Sequence, residues 1–106
     1  MHIQIINFNL KDLSEEDYQA AGEEQFAPAF ADVPGLISKV WLANSETNTY
    51  GGVYTWRDRQ AMVEFTKSEL FNAVISNPNL ANLVSTDFSV MENPTRTTRG
   101  FVEVSV

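Results

Sequence analysis

The sequence has no cysteine, and its one histidine is His2. Without cysteine there is no disulfide framework, no thiolate nucleophile and no cysteine metal site. One histidine near a chain terminus supplies neither a histidine cluster nor a Ser-His-Asp set, so we expect no transition-metal site and no serine-hydrolase triad. A glycine-rich phosphate loop is also missing, because Gly51-Gly52 has neither the required spacing nor a helix directly after it.

Basic residues are few, since 7 Lys and Arg stand against 14 Asp and Glu, for a formal net charge of −7. This charge repels a phosphate backbone, so we expect no nucleic-acid partner. No stretch reaches the roughly 20 apolar residues of a membrane helix, and the first ten residues do not resemble a secretory leader. We therefore predict a cytoplasmic protein that does not contact membranes.

The hydrophobic pattern predicts strands and helices in the order β-α-β-β-α-β, within one domain that spans residues 1–106. This order is the ferredoxin-like, split βαβ plan of an α+β protein, with a four-stranded antiparallel sheet. The predicted strands cover residues 2–10, 36–44, 50–57 and 84–92. The first helix follows Ser14 as its N-cap and is expected to kink or end near Ala27, before Pro28.

The second helical region is predicted to begin after Asp58, to bend after residue 68, and to add one more turn at residues 78–83. Its expected buried positions are Ala61, Met62, Phe65, Leu70, Phe71, Val74 and Ile75. Residues 93–106 form a tail, in which "NPTRTTRG" is predicted to be a loop. The alternating "FVEVSV" that follows is predicted to add a fifth strand.

Strands 2 and 3 are apolar on both sides, which indicates a sheet that is covered on both faces. On strand 3, Tyr54 and Trp56 share one side, and Val53 lies on the other. The helices of so small a chain cover only one face. A second copy of the sheet covers the other most simply, so we predict a twofold homodimer, a dimeric α/β barrel.

The candidate site is an aromatic-lined space at the central hairpin, where Trp41 and Tyr54 come near one another if their strands pair. Small-molecule pockets are mostly apolar, with a few placed polar groups. Core or dimer-interface packing is the alternative for each aromatic residue. Lys39 is either part of the site or a solvated or ion-paired strand-end charge. Gly52 either leaves room for a ligand or marks a bulge or close backbone approach.

A family resemblance lies between residues 34 and 58. The segment contains Pro34-Gly35, Lys-Val-Trp at 39–41, a polar hairpin, Gly-Gly-Val-Tyr at 51–54, and Asp58 at the next helix start. This combination resembles the YdhR-type monooxygenases of the dimeric α+β barrel superfamily, which are similar to antibiotic-biosynthesis monooxygenases. "STDFSVMENP" resembles the last strand of that family more loosely. The resemblance implies a homodimer of ferredoxin-like protomers, each with a pocket between sheet and helices.

The resemblance also implies a cofactor-independent oxygenase, in which molecular oxygen reacts with a phenol-like or anthrone-like aromatic substrate. The catalytic candidates are then Asn7, Trp41 and Tyr54, with Asn7 or Tyr54 binding a developing oxyanion. The substrate-binding candidates are Lys39, Gly52, Trp56 and Phe65. No metal or cofactor is expected, and haem degradation is disfavoured because no predicted helix contains histidine. The alternative is a non-enzymatic dimer that binds a small apolar ligand.

Overall fold

A computed structural model describes residues 1–101 of the chain. Its four strands form one antiparallel sheet in the order β2-β3-β1-β4, with the helices packed on one face. The strands are β1 (His2–Leu10), β2 (Leu36–Asn44), β3 (Thr49–Trp56) and β4 (Leu80–Ser89). The helices are α1 (Glu15–Ala21), α2 (Ala27–Ala31), α3 (Arg59–Thr66), α4 (Glu69–Ile75) and α5 (Glu92–Thr97). This is the predicted ferredoxin-like α+β fold.

The first helical region contains a turn of π-helix, Gly22–Phe26, between α1 and α2. Ser14 caps α1 as predicted, because its hydroxyl accepts a hydrogen bond from the Asp17 amide. Pro28 has no amide hydrogen, and its ring crowds the carbonyl four residues earlier, within the π turn. The helix therefore changes geometry before the proline and then continues through it, so the predicted irregularity is confirmed but lies N-terminal to Ala27.

The extra helical turn predicted at residues 78–83 is wrong, because β4 already begins at Leu80. Leu80 pairs with Leu10 of β1, and Ala81 pairs with Asn9. Pairing with β1 overrides the local helical pattern here. A register shift follows at Asn82, whose φ of 56° is left-handed.

The loop predicted from residue 93 is also wrong, because Glu92–Thr97 forms α5. Pro94 is the third residue of this helix, where an amide hydrogen has no intrahelical partner, so the proline costs no hydrogen bond. The predicted fifth strand falls almost entirely on residues 102–106, which lie outside the described residues; Phe101 itself is a bend.

Alternation along the strands gives the sheet two different faces. The inner face, toward the helices, buries His2, Gln4, Ile6 and Phe8 of β1. It continues on β3 through Tyr50, Tyr54 and Trp56. From the helices, the core takes Phe30, Ala61, Met62, Phe65 and Val74. Most predicted buried positions are confirmed, except that Ile75 is 48% exposed.

The outer face carries large apolar side chains that no other part of residues 1–101 covers. Val40, Val84 and Phe88 are each more than half exposed. Ile5 and Val53 are half-buried neighbours of these residues on the two central strands. None of the helices within residues 1–101 is both long and apolar enough to cross a membrane.

Candidate functional site

The register of the central hairpin places Lys39 and Trp41 on the inner face. Lys39 pairs with Tyr54, and Trp41 pairs with Gly52, so all four residues point toward the helices. The sequence left this register open, because the hairpin loop does not fix it. The structure therefore brings four of the seven candidate residues to one place.

Lys39 extends across three aromatic rings. Its Nζ atom lies 3.5 Å from the ring centroid of Phe30, 3.6 Å from that of Trp41 and 4.7 Å from that of Tyr54. Phe30 also packs edge-on against Trp41 and Tyr54, with centroids 5.9 Å and 5.7 Å away. The ammonium group is thus held in an aromatic box, where the negative π faces attract it.

A cavity of about 300 Å³ opens between this box and the helices, and we call it the inner cavity. Its volume is at the lower end of the range for small-molecule sites. Among residues 1–101, Lys39 supplies the only charged side chain in its lining. Its walls are mainly apolar, with Phe8, Leu13, Tyr18, Ala21, Phe26, Phe30, Trp41, Gly51, Val74 and Leu80, and with Gln25, Asn77 and Asn79 as neutral polar groups.

A second cavity of about 420 Å³, the edge cavity, lies between α1, the π turn and the end of edge strand β2. Tyr18 and Trp41 form part of its wall and part of the wall of the inner cavity. Glu15 and Glu23 also line it, and they disfavour an anionic ligand. Although the edge cavity is larger, the inner cavity is the better candidate site, because residues of all four strands line it and Lys39 places a cation there.

Three tyrosines near these cavities remain neutral at physiological pH. Burial raises the pKa of Tyr18 to about 12. Burial also raises the pKa of Tyr54, with a smaller effect from Tyr18. The pKa of Tyr50 is raised chiefly by its hydrogen bond to Glu15, in which the hydroxyl donates over 2.7 Å. Tyr18 lines both cavities, and a neutral phenol can donate a hydrogen bond to an anion bound next to it.

Trp56 and Phe65, two candidate substrate-binding residues, belong to the packed core. Trp56 is fully buried, and its indole N–H donates to Oε1 of Gln4 over 3.1 Å. Phe65 is 3% exposed and lies 5.1 Å from Trp56 between ring centroids. Neither residue lines the inner or the edge cavity. Both residues therefore match the alternative interpretation of the aromatic residues, which is packing in the core.

Asn7 lies apart from the other candidates. It points to the outer face, between Gly51 of β3 and Val84 of β4, and its amide donates weakly to the Tyr50 carbonyl over 3.5 Å. The backbone of β1 and β3 therefore separates Asn7 from the inner cavity. Asp87 of β4, a second polar residue on the sheet, already has a partner, because its carboxylate accepts a hydrogen bond from His2 over 2.7 Å.

The candidate residues predicted from the sequence do not include the first helical region, which forms the helix side of the inner cavity. Tyr18, Phe26 and Phe30 are part of the three- and four-residue periodicity of the first helical region. Periodicity indicates which helix face packs inward, but it does not indicate where packing leaves a gap. Within residues 1–101, no group of three or more His, Cys, Asp and Glu side chains is placed to hold a metal ion.

The family model described as "Putative mono-oxygenase ydhR" matches residues 3–101. The chain therefore belongs to the ydhR family of mono-oxygenases, as the resemblance predicted. No curated protein sequence matches the chain.

Several solved structures share the fold at low sequence identity. SnoaB of Streptomyces nogalater, described as a cofactor-independent oxygenase, is 16% identical with a TM-score of 0.67, over 87% of this chain and 95% of its own. The ActVA-Orf6 monooxygenase of Streptomyces coelicolor, solved with nanaomycin D, is 16% identical with a TM-score of 0.62, over 84% and 86%. MhuD, solved with manganese protoporphyrin IX, is 15% identical with a TM-score of 0.69, over 88% and 97%.

Proposed function

We propose that this protein is a cofactor-independent monooxygenase that oxidises a planar, electron-rich aromatic compound of the phenol or anthrone type. The observation that carries the proposal is the inner cavity, an aromatic-walled space between sheet and helices that contains one cation, Lys39. Trp41 and Phe30 offer flat surfaces for a planar ligand. Tyr18 offers a neutral hydroxyl that can donate to a developing oxyanion.

The reaction makes few demands on the protein. An anthrone-like substrate loses a proton from its CH₂ group, and the resulting carbanion transfers one electron to molecular oxygen. The carbon radical and superoxide combine, and the peroxide anion takes up a proton. Loss of water, with cleavage of the second C–H bond and the O–O bond, leaves a carbonyl group. The overall change is CH₂ plus O₂ to C=O plus H₂O, and the protein supplies orientation and charge stabilisation.

Family membership and two of the fold relatives support the oxygenase class. SnoaB is described as a cofactor-independent oxygenase, and the ActVA-Orf6 protein as a monooxygenase that was solved with a bound ligand. Fold alone does not fix the substrate, so the aromatic class rests on the walls of the inner cavity. MhuD binds a porphyrin on the same fold. In this chain the one histidine is on β1, bonded to Asp87, and not on a helix.

We also propose that the outer face pairs with a second copy of the chain in a twofold homodimer. Val40, Val84 and Phe88 form an apolar surface that is over half exposed in one protomer, and such surfaces are typical of interaction sites. The side chains of the inner cavity point to the opposite face. Pairing of this kind would bury the outer face and leave each inner cavity within its own protomer. A cytoplasmic location remains a prediction.

Oxygen uptake tests the proposed reaction. The protein, freed of bound metals with a chelator, is mixed with a panel of anthrones and hydroquinones, and oxygen consumption is followed with an electrode. We expect uptake that depends on enzyme concentration, with one O₂ consumed for each anthrone converted to the corresponding quinone and, for a hydroquinone, a product that contains one added oxygen atom. Saturable quenching of tryptophan fluorescence without any uptake would instead favour the non-enzymatic binding protein.

A further inference from the structure

Lys39 has no partner of opposite charge in the described part of the chain. No carboxylate oxygen within residues 1–101 lies within 4.0 Å of its Nζ atom, and Nζ makes no hydrogen bond to another of these residues. The four ion pairs found there involve the N-terminus, His2, Arg57 and Lys67. An ammonium group that is partly buried without a counter-ion is costly, so its position calls for an explanation.

The space that Lys39 occupies depends on Gly52. A Cβ atom at position 52 would lie 2.9 Å from Cε of Lys39 and 3.2 Å from the Tyr54 ring. Because Gly52 has no side chain, the lysine can fold over β3 and reach the aromatic box. Side-chain nitrogen atoms that are fully buried all have partners in the described residues, so Nζ keeps contact with accessible space. Lys39 lines the inner cavity on one side and a shallower pocket along β2, next to Leu36 and Ser38, on the other.

Two effects act in opposite directions on the protonation of Lys39. Burial lowers the pKa of its amine from 10.5 to about 7. The π faces of Phe30, Trp41 and Tyr54 favour the ammonium form and offset part of this effect. The titratable groups that face Lys39 are the phenols of Tyr54 and, across the inner cavity, Tyr18, and both stay protonated. Lys39 can therefore be present as a free amine near neutral pH.

We propose that Nζ of Lys39 accepts the acidic proton of the aromatic substrate and then acts as the counter-ion of the resulting anion. This inference deepens the proposed function and rests on it, since it assigns the proton acceptor and restricts the substrate to compounds with an acidic O–H or C–H group. Lys39 is the one charged group that the described residues place in the inner cavity, and none of them adds a carboxylate there, so the cavity favours an anion.

The proton transfer is balanced within the site. The O–H or C–H bond of the substrate breaks, its electron pair stays on the substrate, and a new N–H bond forms at Lys39. In the oxygenation step, the ammonium group returns this proton to the peroxide anion, which restores the free amine. Lys39 thus ends each cycle in the form in which it began.

The test uses 4-nitrophenol, whose anion absorbs visible light and whose own ionisation falls near neutral pH. Its affinity is measured from about pH 5 to about pH 9 for the wild type, Lys39→Met, Lys39→Arg and the control Lys67→Met. Lys67 is an exposed residue on the helix side and lines neither cavity. Circular dichroism checks that each variant is folded. If Lys39→Met does not fold, the comparison of the wild type with Lys39→Arg, which keeps the positive charge, still tests the inference.

Each variant has its own expected pH profile. In the wild type and Lys67→Met, affinity follows the product of ammonium and phenolate populations, so it passes through a maximum near pH 7. In Lys39→Arg, which stays charged, affinity rises with pH to a plateau. In Lys39→Met, only the neutral phenol binds well, so affinity falls as pH rises. We also expect the bound phenol of the wild type to ionise roughly one to three pH units lower than that of Lys39→Met.

A wild-type profile that falls with pH like that of Lys39→Met would overturn the inference, as would a maximum that persists in Lys39→Met or the absence of nitrophenol binding. The oxygen-uptake experiment fails separately. If anthrones support oxygen uptake but nitrophenol affinity shows no maximum near pH 7, only the role of Lys39 is overturned. If nitrophenol affinity shows the maximum but no substrate supports oxygen uptake, Lys39 is an anion-binding residue and the monooxygenase reaction is overturned.

Discussion

The side chain of Lys39 occupies the space on the inner face of the sheet that a side chain at Gly52 would fill. A Cβ atom at position 52 would lie only 2.9 Å from Cε of Lys39. Gly51, its neighbour, has a different reason to be glycine, because a Cβ there would lie 1.8 Å from the carbonyl oxygen of Ile6. The Gly-Gly pair thus combines a close backbone approach with room for the lysine, and both strand registers continue through it.

We predict that Gly52→Ala moves Lys39 out of the aromatic box. The added methyl group also lies 3.2 Å from the carbonyl oxygen of Val40, so we expect a loss of about 1–3 kcal/mol in the free energy of unfolding. Nitrophenol affinity near pH 7 falls, and its maximum flattens. Gly22→Ala is the matched control, because its Cβ would meet Trp41 at an ordinary 3.4 Å in a helical backbone. A Gly52→Ala protein with unchanged binding would contradict the shared-space interpretation.

The stability of the wild type, compared with that of Lys39→Met, is predicted to rise with pH above about 7. The pKa of Lys39 is lower in the folded state than in the unfolded chain, so the unfolded chain binds more protons between about 7 and 10.5. Folding therefore becomes more favourable with increasing pH in that window, and the cost of the buried charge is fully present below it. Each pKa unit corresponds to about 1.36 kcal/mol.

Urea unfolding at intervals from about pH 6 to about pH 9.5 measures this difference, since other titrating groups are common to both proteins. We expect Lys39→Met to be more stable than the wild type at the acidic end, by an amount on the order of 1 kcal/mol or more. The difference should shrink toward the alkaline end. Parallel stability curves would show that Lys39 is protonated throughout.

The homodimer proposal predicts that charges on the outer face separate the protomers. A Val84→Asp, Phe88→Asp variant places two carboxylates on an apolar surface where both native side chains are more than half exposed. Sedimentation at micromolar concentration should give a dimer mass for the wild type and a monomer mass for this variant. Ile75→Asp is the control, because Ile75 is 48% exposed on α4, away from the outer face. A monomeric wild type would end the proposal.

The strand order and the first two strands follow from the sequence because period-two and helical patterns are strong there. β1 and β2 have their predicted bounds, and β3 begins one residue before its predicted start. The start of β4 was missed because its pairing with Leu10 and Asn9 is a tertiary contact that local propensity does not encode. Helix α5 stands where a loop is predicted, in a segment without a clear helical periodicity, and Pro94 fits because the first turn of a helix tolerates proline.

The candidate site was predicted only in part, for a similar reason. Trp41 and Lys39 line the inner cavity, whereas Trp56 and Phe65 fill the core beside it. Each of the four is a residue type that can either pack in a core or contact a ligand, so residue type alone does not separate them. The difference arises from where helices and sheet leave a gap, which depends on the path of the first helical region through its π turn. Asn7 lies apart from the inner cavity for a different reason. Strand alternation places it on the outer face, opposite the even-numbered residues of β1 that face inward.

The two tryptophans are predicted to respond differently to a planar ligand. Trp41 is 36% exposed and lines the inner cavity, whereas Trp56 is fully buried and bonded to Gln4. In Trp56→Phe, a hydroquinone should still quench the fluorescence, although the lost hydrogen bond to Gln4 costs roughly 1–3 kcal/mol of stability. In Trp41→Phe, the remaining emission comes from Trp56, and saturable quenching should largely disappear. Equal quenching in the two variants would place the ligand outside the inner cavity and would remove the main support for an aromatic substrate there.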